Sequence, residues 1–178
     1  MKEVNKKLRD KILKMFQNDQ KLRILAINDS KNKKLSYKVY ECDQKNLPII
    51  KNIVEDFGWP TFDLVGKKAS NSFWILVQHA DSDLHFQKKC LILLTKAARN
   101  NQAKPSNVAY LTDRIRAAEG KKIKFGTQYT IKNGQPVIKP VINRKKLVEL
   151  RKKYSMESLE KQTRRIKREY AKLFRANQ

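Results

Sequence analysis

The sequence predicts a mainly α-helical fold with one small β-hairpin, arranged as a single compact domain. Apolar residues recur at spacings of three and four through most of the chain, which is the period of an amphipathic helix. Asn133-Gly134, the strongest short hairpin pattern, separates two apolar runs. The length of 178 residues suits one core, and a hydrophobic content of 40% excludes general disorder. We expect a helical domain over 1–154, with the hairpin near 123–142, and a basic C-terminal helix over 155–178.

The first part of the chain predicts two helices, separated by a polar loop and a short extended segment. Leu8 and Ile12 lie on the apolar face of the first helix, with lysines opposite them. Alternation over 35–41 favours an extended piece after the loop. Asn46 is a typical N-cap for the second helix, and Gly58 is a typical end.

The most apolar part of the chain, around Phe73 and Val77, predicts a central helix. Ser70 is a candidate N-cap for it, and the apolar spacing continues to about Arg99. Two alternatives stay open at Asp81-Ser82-Asp83. Either the helix continues through these residues, or it ends there and an aspartate caps a new helix.

A helix, the hairpin and the C-terminal helix follow. Pro105 suits a first helical position and Gly120 suits a helix end, so the apolar pattern between them predicts a helix. The hairpin strands are expected over 125–131 and 137–142, and the last helix starts at about Met156.

Positive charge is concentrated at the two ends of the sequence. Of the formal net charge of +24, residues 1–38 contribute +8 and residues 143–178 contribute +9. Such clusters attract polyanions, with an affinity that falls as salt rises. The basic terminal helices therefore predict a nucleic acid or another polyanion as a partner. The alternative is a lysine-rich solvated surface, which 30 lysines against 11 arginines favour because arginine dominates specific phosphate recognition.

The composition also predicts the cellular compartment of the protein. No apolar run approaches the roughly 20 residues that span a bilayer, so we expect no membrane partner. No hydrophobic stretch follows the first residues, so we expect no secretory signal. Cys42 and Cys90 are too few for a disulfide framework and suit a reducing compartment, which predicts a cytoplasmic protein.

The stretch from Gln78 to Asp83 holds the best candidates for catalysis. On a continuous helix, His79 and Asp83 lie one turn apart on the flank of an apolar face. Histidine is the most versatile acid or base at neutral pH, and a neighbouring carboxylate fixes its tautomer. We expect His79 to act as general acid or base, with Asp81 or Asp83 as the carboxylate that orients it. The alternative is a hydrogen-bonded core pair with no catalytic role.

Ligand-binding candidates come from three other places. Gln87 falls inside the apolar face of the central helix, where a polar group is hydrogen-bonded or lines a pocket. Thr127 and Gln128 follow a glycine at a strand entry, which offers backbone N–H groups and an amide to a ligand. A turn that needs positive φ is the alternative there. Asp113 and Arg114 precede this segment. We expect Arg114 either to bind a ligand anion or to form an ion pair on the protein surface.

We predict no cofactor and no metal centre. A site built from His79 and Asp83, with His85 or Asp81 added, needs a further convergent ligand, and the sequence reveals none. The sequence also lacks zinc-finger spacing, a glycine-rich phosphate loop and a serine elbow.

Short motifs in a fixed order resemble a bacterial family, domain of unknown function 6624. The resemblance covers most of the chain from the first helix to Tyr154, and it includes Asp19-Gln20 and Arg23. Its motifs are Gly58-Trp59-Pro60-Thr61, Val65-Gly66, Ala69-Ser70, Gln78-His79-Ala80-Asp81, Phe86-Gln87, Ala109-Tyr110-Leu111 with Asp113-Arg114, and Phe125-Gly126-Thr127-Gln128. The chain departs from the family pattern at 122–125 and in the basic helix after Tyr154.

The resemblance carries no established activity. It implies one pocket on which five polar residues converge, namely Gln78, His79, Asp81, Asp113 and Gln128.

Two functions compete at this point. The first is an enzyme, a hydrolase or group transferase, that acts on a phosphate-bearing ligand in a polar pocket around His79, with Gln128 and Arg114 binding the substrate. The second is a noncatalytic nucleic-acid-binding protein that uses the basic terminal helices. A scaffold that buries its terminal helices against a partner protein is a third possibility.

Overall fold

The fold is mainly α-helical with one two-stranded hairpin, which confirms the predicted fold class. The structure is a computed structural model that describes residues 4–176, and for 173–176 it describes the backbone alone. Its elements are α1 Lys6–Asn28, α2 Lys33–Phe57, α3 Phe62–Gln78, α4 Leu84–Arg99, α5 Pro105–Ala118, β1 Tyr129–Lys132, β2 Gln135–Ile138, α6 Leu147–Lys153 and α7 Leu159–Ala176.

The chain divides into two compact units. The N-terminal unit comprises Met1–Asn107 and the C-terminal unit comprises Val108–Gln178. These units are sets of residues that contact mainly one another. The domain boundary expected after residue 154 is a different division, and it stays a prediction.

An apolar core holds the N-terminal unit together. In this unit α1 packs on α2 and α3, and α3 also contacts α2 and α4. Ile12, Val65 and Phe73 are completely buried, and the rings of Trp59 and Phe73 pack edge to face with their centroids 5.4 Å apart. Burial of side chains of this size stabilises the fold by about 1.5–3 kcal/mol each.

The second helix is much longer than the sequence pattern indicates. Residues 35–41, expected to be extended, form the first part of α2, and Asn46 lies inside this helix instead of capping it. The true N-cap is Asn32, whose side chain accepts the backbone N–H of Leu35. Pro48 lies within α2, where it costs about 3 kcal/mol, and burial of the helix's apolar face offsets that cost.

The central helix also begins earlier than expected, and it does not continue into the next one. Thr61, not Ser70, is the N-cap, and Thr61 Oγ1 accepts the backbone N–H of Leu64. Gly66 interrupts α3 with a φ of +80°. The helical spacing of apolar residues breaks at this point, so the spacing does not show where the helix starts. The chain leaves α3 at His79, and Asp83 caps α4 by accepting the N–H of Phe86 at 2.8 Å.

The C-terminal unit contains the hairpin. Strands β1 and β2 are antiparallel, with Lys132 paired to Gln135 across the turn. Asn133 and Gly134 both have positive φ, at 50° and 68°, as the predicted tight turn requires. The ladder is shorter than expected, because 125–128 and 139–142 lie outside it. Ile123 and Val141 form a separate isolated bridge, which is parallel.

Gln162 of α7 is a buried polar centre of the same unit. Its side chain is completely buried, its Nε2 donates to Gly126 O and to Tyr129 Oη, and its Oε1 accepts the hydroxyl of Tyr110.

Helix α6 was not expected from the sequence, and α7 begins three residues later than predicted. Residues 177 and 178 of the predicted C-terminal helix lie outside the described residues.

A pair of glycine substitutions tests the packing around the hairpin. Gly126 has a φ of +72°, and a Cβ there would lie 3.0 Å from Leu159 Cδ1. We expect Gly126→Ala to lower the free energy of unfolding by about 1–2 kcal/mol for the backbone conformation and about 1–3 kcal/mol more for overpacking. Urea denaturation measures this loss.

Gly134→Ala is the matched control, because Gly134 has a φ of +68° but open space around the added Cβ. It should show only the backbone part of the loss. Equal losses for the two variants would contradict the packing of Gly126 against Leu159.

Candidate functional site

Four ionisable side chains meet in the N-terminal unit. Asp19 and Arg23 come from α1, Asp43 comes from α2, and His79 follows the last residue of α3. We call these four residues the charged cluster. Asp19 is only 1% exposed, so its charge must be compensated by hydrogen bonds and cations.

His79 is oriented by Asp19. His79 Nδ1 lies 3.1 Å from Asp19 Oδ1, and 18% of the histidine side chain is exposed. An ionised carboxylate only accepts, so Nδ1 carries the proton and Nε2 keeps its lone pair when the ring is neutral. Among the described residues, Nε2 has no hydrogen-bond partner.

Arg23 links the two carboxylates of the cluster. Its Nε donates to Asp19 Oδ1 at 3.0 Å, and its Nη2 bonds to Asp43 Oδ1. Gln20 Nε2 donates to the other oxygen of Asp19 at 2.8 Å. Asp19 therefore accepts from His79, Arg23 and Gln20, which fixes the carboxylate in one orientation.

The cluster shifts the titration of its acids in opposite directions. Burial alone would raise the pKa of Asp19, but the hydrogen bond and charge of His79, with help from Gln20 and Arg23, bring the net pKa below its ordinary value. Burial raises the pKa of Asp43, and Arg23 only partly opposes this. Asp19 is thus the carboxylate that stays ionised to lower pH.

The same residues have the donor types of a metal site. One ligand atom each from Asp19, Asp43 and His79 lie within 4.8 Å of one another, and two carboxylates with an imidazole suit a divalent cation. Arg23 already bonds to both carboxylates in this structure. A metal ion at this place would compete with the guanidinium for the two carboxylates.

The structure corrects the expected partner of His79. Asp83 and His79 are not one turn apart on a helix, because the helix ends between them. Asp83 caps α4 and pairs with Lys51 Nζ, and the side-chain bond from Lys51 lowers the pKa of Asp83. Asp81 accepts Gln87 Nε2 at 3.2 Å. The carboxylate that orients His79 is therefore Asp19.

The two glutamines of the predicted site are buried beside the end of α3. Gln87 Nε2 donates to the backbone carbonyls of Val77 and Gln78, at 3.2 and 3.4 Å, as well as to Asp81. Gln87 thereby ties α4 to the end of α3, which is a structural role. Gln78 Nε2 is buried and has no hydrogen-bond partner among the described residues.

The remaining predicted residues lie in the C-terminal unit. Asp113 is completely buried, and its carboxylate accepts the backbone N–H groups of Lys124, Phe125 and Thr127 at 2.6–3.1 Å, together with Thr127 Oγ1 at 3.0 Å. Gln128 Nε2 in turn donates to Thr127 Oγ1 at 3.4 Å. Asp113 and Thr127 therefore shape the 124–127 segment.

Convergence of the five polar residues on one pocket stays a prediction. Gln78, His79 and Asp81 belong to the N-terminal unit, whereas Asp113 and Gln128 belong to the C-terminal unit. Substrate binding by Gln128 and Arg114 stays a prediction for the same reason.

Sequence reasoning from spacing did not find three members of the charged cluster. Asp19 and His79 are 60 residues apart, so no local pattern links them. Asp43 lies just after the segment that the sequence predicts to be extended, so the sequence pattern does not place it on a helical face. The positions of Asp19 and Arg23 did belong to the family resemblance, which was the one available indication.

A polar groove adjoins the cluster through Cys42. The groove has a volume of about 210 Å³, and its walls include Asn18, Lys38 and Lys45. Asn18 Nδ2 and Asn46 Nδ2 both contact Cys42 Sγ. Burial raises the pKa of the Cys42 thiol, and the charges of Asp19 and Asp43 raise it further, so Cys42 is a neutral wall residue and not a nucleophile.

Comparison with known proteins settles the family. The model of the family of unknown function DUF6624 matches residues 6–174. The chain belongs to this family. The match confirms the resemblance seen in the short motifs, and it covers both units. No curated protein and no solved structure matches the chain significantly. Among its described residues, no helix is both long and apolar enough to cross a bilayer.

Replacement of Asp19 tests the cluster through pH. At pH 7 we expect Asp19→Asn to lower the free energy of unfolding by about 2–4 kcal/mol, because it removes a buried charge that three donors share. A carboxylate with a lowered pKa stabilises the fold above its unfolded pKa and loses this effect as pH falls through the folded value. The deficit should therefore shrink as the pH falls below the ordinary aspartate pKa of 3.8.

Urea denaturation at a series of pH values measures the deficit. Asp10→Asn is the control, because Asp10 is an exposed aspartate on the same helix. The exposed ion pair of Asp10 with Arg9 contributes little to the free energy of unfolding. A deficit for Asp19→Asn that stayed constant down to about pH 2 would contradict the ionised state of Asp19.

Proposed function

We propose that this protein is an enzyme, a hydrolase or group transferase, in which His79 is the general acid and base. The proposal is carried by one observation, the 3.1 Å contact between His79 Nδ1 and the buried Asp19. A buried carboxylate that binds one ring nitrogen of an imidazole leaves the lone pair of the other nitrogen available to accept a proton. Catalytic histidines are oriented in this way. A core histidine would have both nitrogens hydrogen-bonded.

His79 would transfer a proton between two oxygens. Nε2 removes the proton of an attacking water or alcohol as its oxygen bonds to the substrate, and the imidazolium returns a proton to the leaving group. Asp19 stabilises the imidazolium without taking the proton, because its pKa is below the ordinary range. Arg23 keeps Asp19 and Asp43 in place, so it is a positioning residue.

The substrate we propose bears a phosphate. Lys38 and Lys45 line the groove that adjoins the cluster and outnumber its acid, Glu41, and Asn18 and Asn46 add amide groups at its wall. Cationic and amide donors together suit an anionic phosphate group. The strong positive charge of the whole chain favours the approach of such a ligand.

Substitution of the two histidines tests this function. The assay follows release of phosphate or alcohol from a panel of phosphate monoesters and diesters, including p-nitrophenyl phosphate and bis-p-nitrophenyl phosphate. We expect His79→Gln to lower kcat by about 10²–10⁴-fold, because the proton transfer is lost. Circular dichroism verifies that the variant is folded.

His85→Gln is the matched control, since His85 is an exposed histidine six residues away on α4. Its activity should equal that of the wild type. Turnover that survives in folded His79→Gln would refute the catalytic role, and a wild-type protein that turns over no member of the panel would refute the phosphate-bearing substrate.

A second candidate function is nucleic-acid binding by α7. Lys161, Arg164, Arg165 and Arg168 line a groove of about 410 Å³ in the C-terminal unit. Arg165 is neutralised by Glu157 and Glu169, at 2.8 and 3.5 Å. The exposed cations on the same helix favour contact with a polyanion such as nucleic acid.

Charge reversal on α7 tests the second candidate. We expect the triple variant Lys161→Glu, Arg164→Glu, Arg168→Glu to weaken duplex DNA binding and to reduce the slope of log affinity against log salt by roughly 2–3, because each phosphate contact contributes about 0.9. Fluorescence anisotropy between low and physiological salt measures both quantities.

A triple variant with the same change in net charge serves as control: Lys67→Glu, Lys68→Glu, Lys89→Glu. These lysines are exposed and lie in the N-terminal unit. Equal effects of the two triple variants would show that binding follows net charge alone and not α7.

A further inference from the structure

The C-terminal unit contains a cavity with one apolar wall and one buried cation. The cavity has a volume of about 400 Å³, within the range of small-molecule sites. Its apolar wall comprises Leu147, Val148, Met156 and Leu159, and its cations are Arg144, Arg151 and Lys152. Val148 is 61% exposed, so the apolar wall reaches the surface.

Arg151 is a buried cation whose contacts are neutral. It is 2% exposed, and it donates to the backbone carbonyl oxygens of Phe125 and Glu157 and to Gln162 Oε1. Within the described chain no carboxylate pairs with it, although buried charges are normally paired. Burial lowers the pKa of Arg151, and the nearby Tyr110, Tyr129, Glu157 and Asp113 only partly oppose this.

One N–H group of this guanidinium is unused. A guanidinium has five N–H groups. Nε donates once, Nη2 donates twice, and Nη1 donates once to Phe125 O at 2.7 Å. The second N–H of Nη1 therefore has no acceptor among the described residues, and Arg151 belongs to the cavity lining.

The acidic side chains of the cavity do not cancel its positive charge. Glu157 is bonded to Arg165 through its carboxylate at 2.8 Å, so it is already paired. Glu160 is an exposed acid at the rim. Arg144, Arg151 and Lys152 thus outnumber the acids that are free to oppose them.

We propose that this cavity binds an organic carboxylate with an unbranched apolar tail, such as a medium-chain fatty acid. The carboxylate accepts the unused N–H of Arg151 and lies near Lys152, and the tail covers the apolar wall around Val148. A phosphate suits the cavity less well, because its three terminal oxygens need several donors and the wall around Arg151 is mostly apolar. The site lies in the C-terminal unit and does not depend on the function proposed for His79.

Calorimetric titration with decanoate tests the site on the full chain. We expect one decanoate per protein. Decanol, which lacks the charge, and decylamine, which reverses it, should bind at least tenfold more weakly, equivalent to about 1.4 kcal/mol. Decanol binding as tight as decanoate would overturn the role of Arg151, and absence of decanoate binding would overturn the site.

Two pairs of variants locate the binding. Lys152→Glu should weaken decanoate binding about tenfold, equivalent to about 1.4 kcal/mol, whereas Lys153→Glu on the same short helix should not, because Lys153 is exposed outside the cavity. Val148→Asp should weaken binding similarly, and Ile142→Asp, also at an exposed residue, should not. All four positions are exposed, so these variants should fold. Equal effects within either pair would overturn the location.

Discussion

Asp19 and Asp113 are carboxylates with almost no exposure to water, and the donors around them hold the surrounding chain in place. An ionised carboxylate taken out of water is costly unless hydrogen bonds and cations replace its hydration. Around Asp19 these donors come from α1 itself and from His79, which directly follows α3. Around Asp113 they are three backbone N–H groups and a hydroxyl of the segment before β1.

The two carboxylates differ in what they leave available. Asp113 is hydrogen-bonded by backbone N–H groups and one hydroxyl, none of which is an acid or base at neutral pH. Asp113 therefore fixes the path of the backbone. Asp19 is satisfied in part by an imidazole, and this contact leaves one ring nitrogen of His79 without a partner among the described residues. The same physical requirement therefore produces a structural anchor in one unit and a candidate acid–base group in the other.

Positive charge has two different roles in this chain. Most lysines and arginines are exposed, where each contributes little to stability but together they set the long-range field. Arg151 is the contrast, because it is buried and bonded to neutral oxygen atoms. The exposed charge of α7 favours a polyanion, whereas the burial and hydrogen bonding of Arg151 favour a small ligand in the cavity beside α6.

The sequence by itself determined the elements whose causes are local. Apolar spacing of three and four residues gave α1, α4 and α5, Gly58 and Gly120 marked helix ends, and Asn133-Gly134 marked the hairpin. The sequence also placed His79 in the candidate site and Gln87 in the core. Local patterns failed over 35–41 and at Asn46, because tertiary burial of one face of α2 outweighed weak local preferences. Only the tertiary structure decided that Asp19 is the partner of His79, because a contact across 60 residues depends on how α1 packs against α3 and cannot be read from residue spacing.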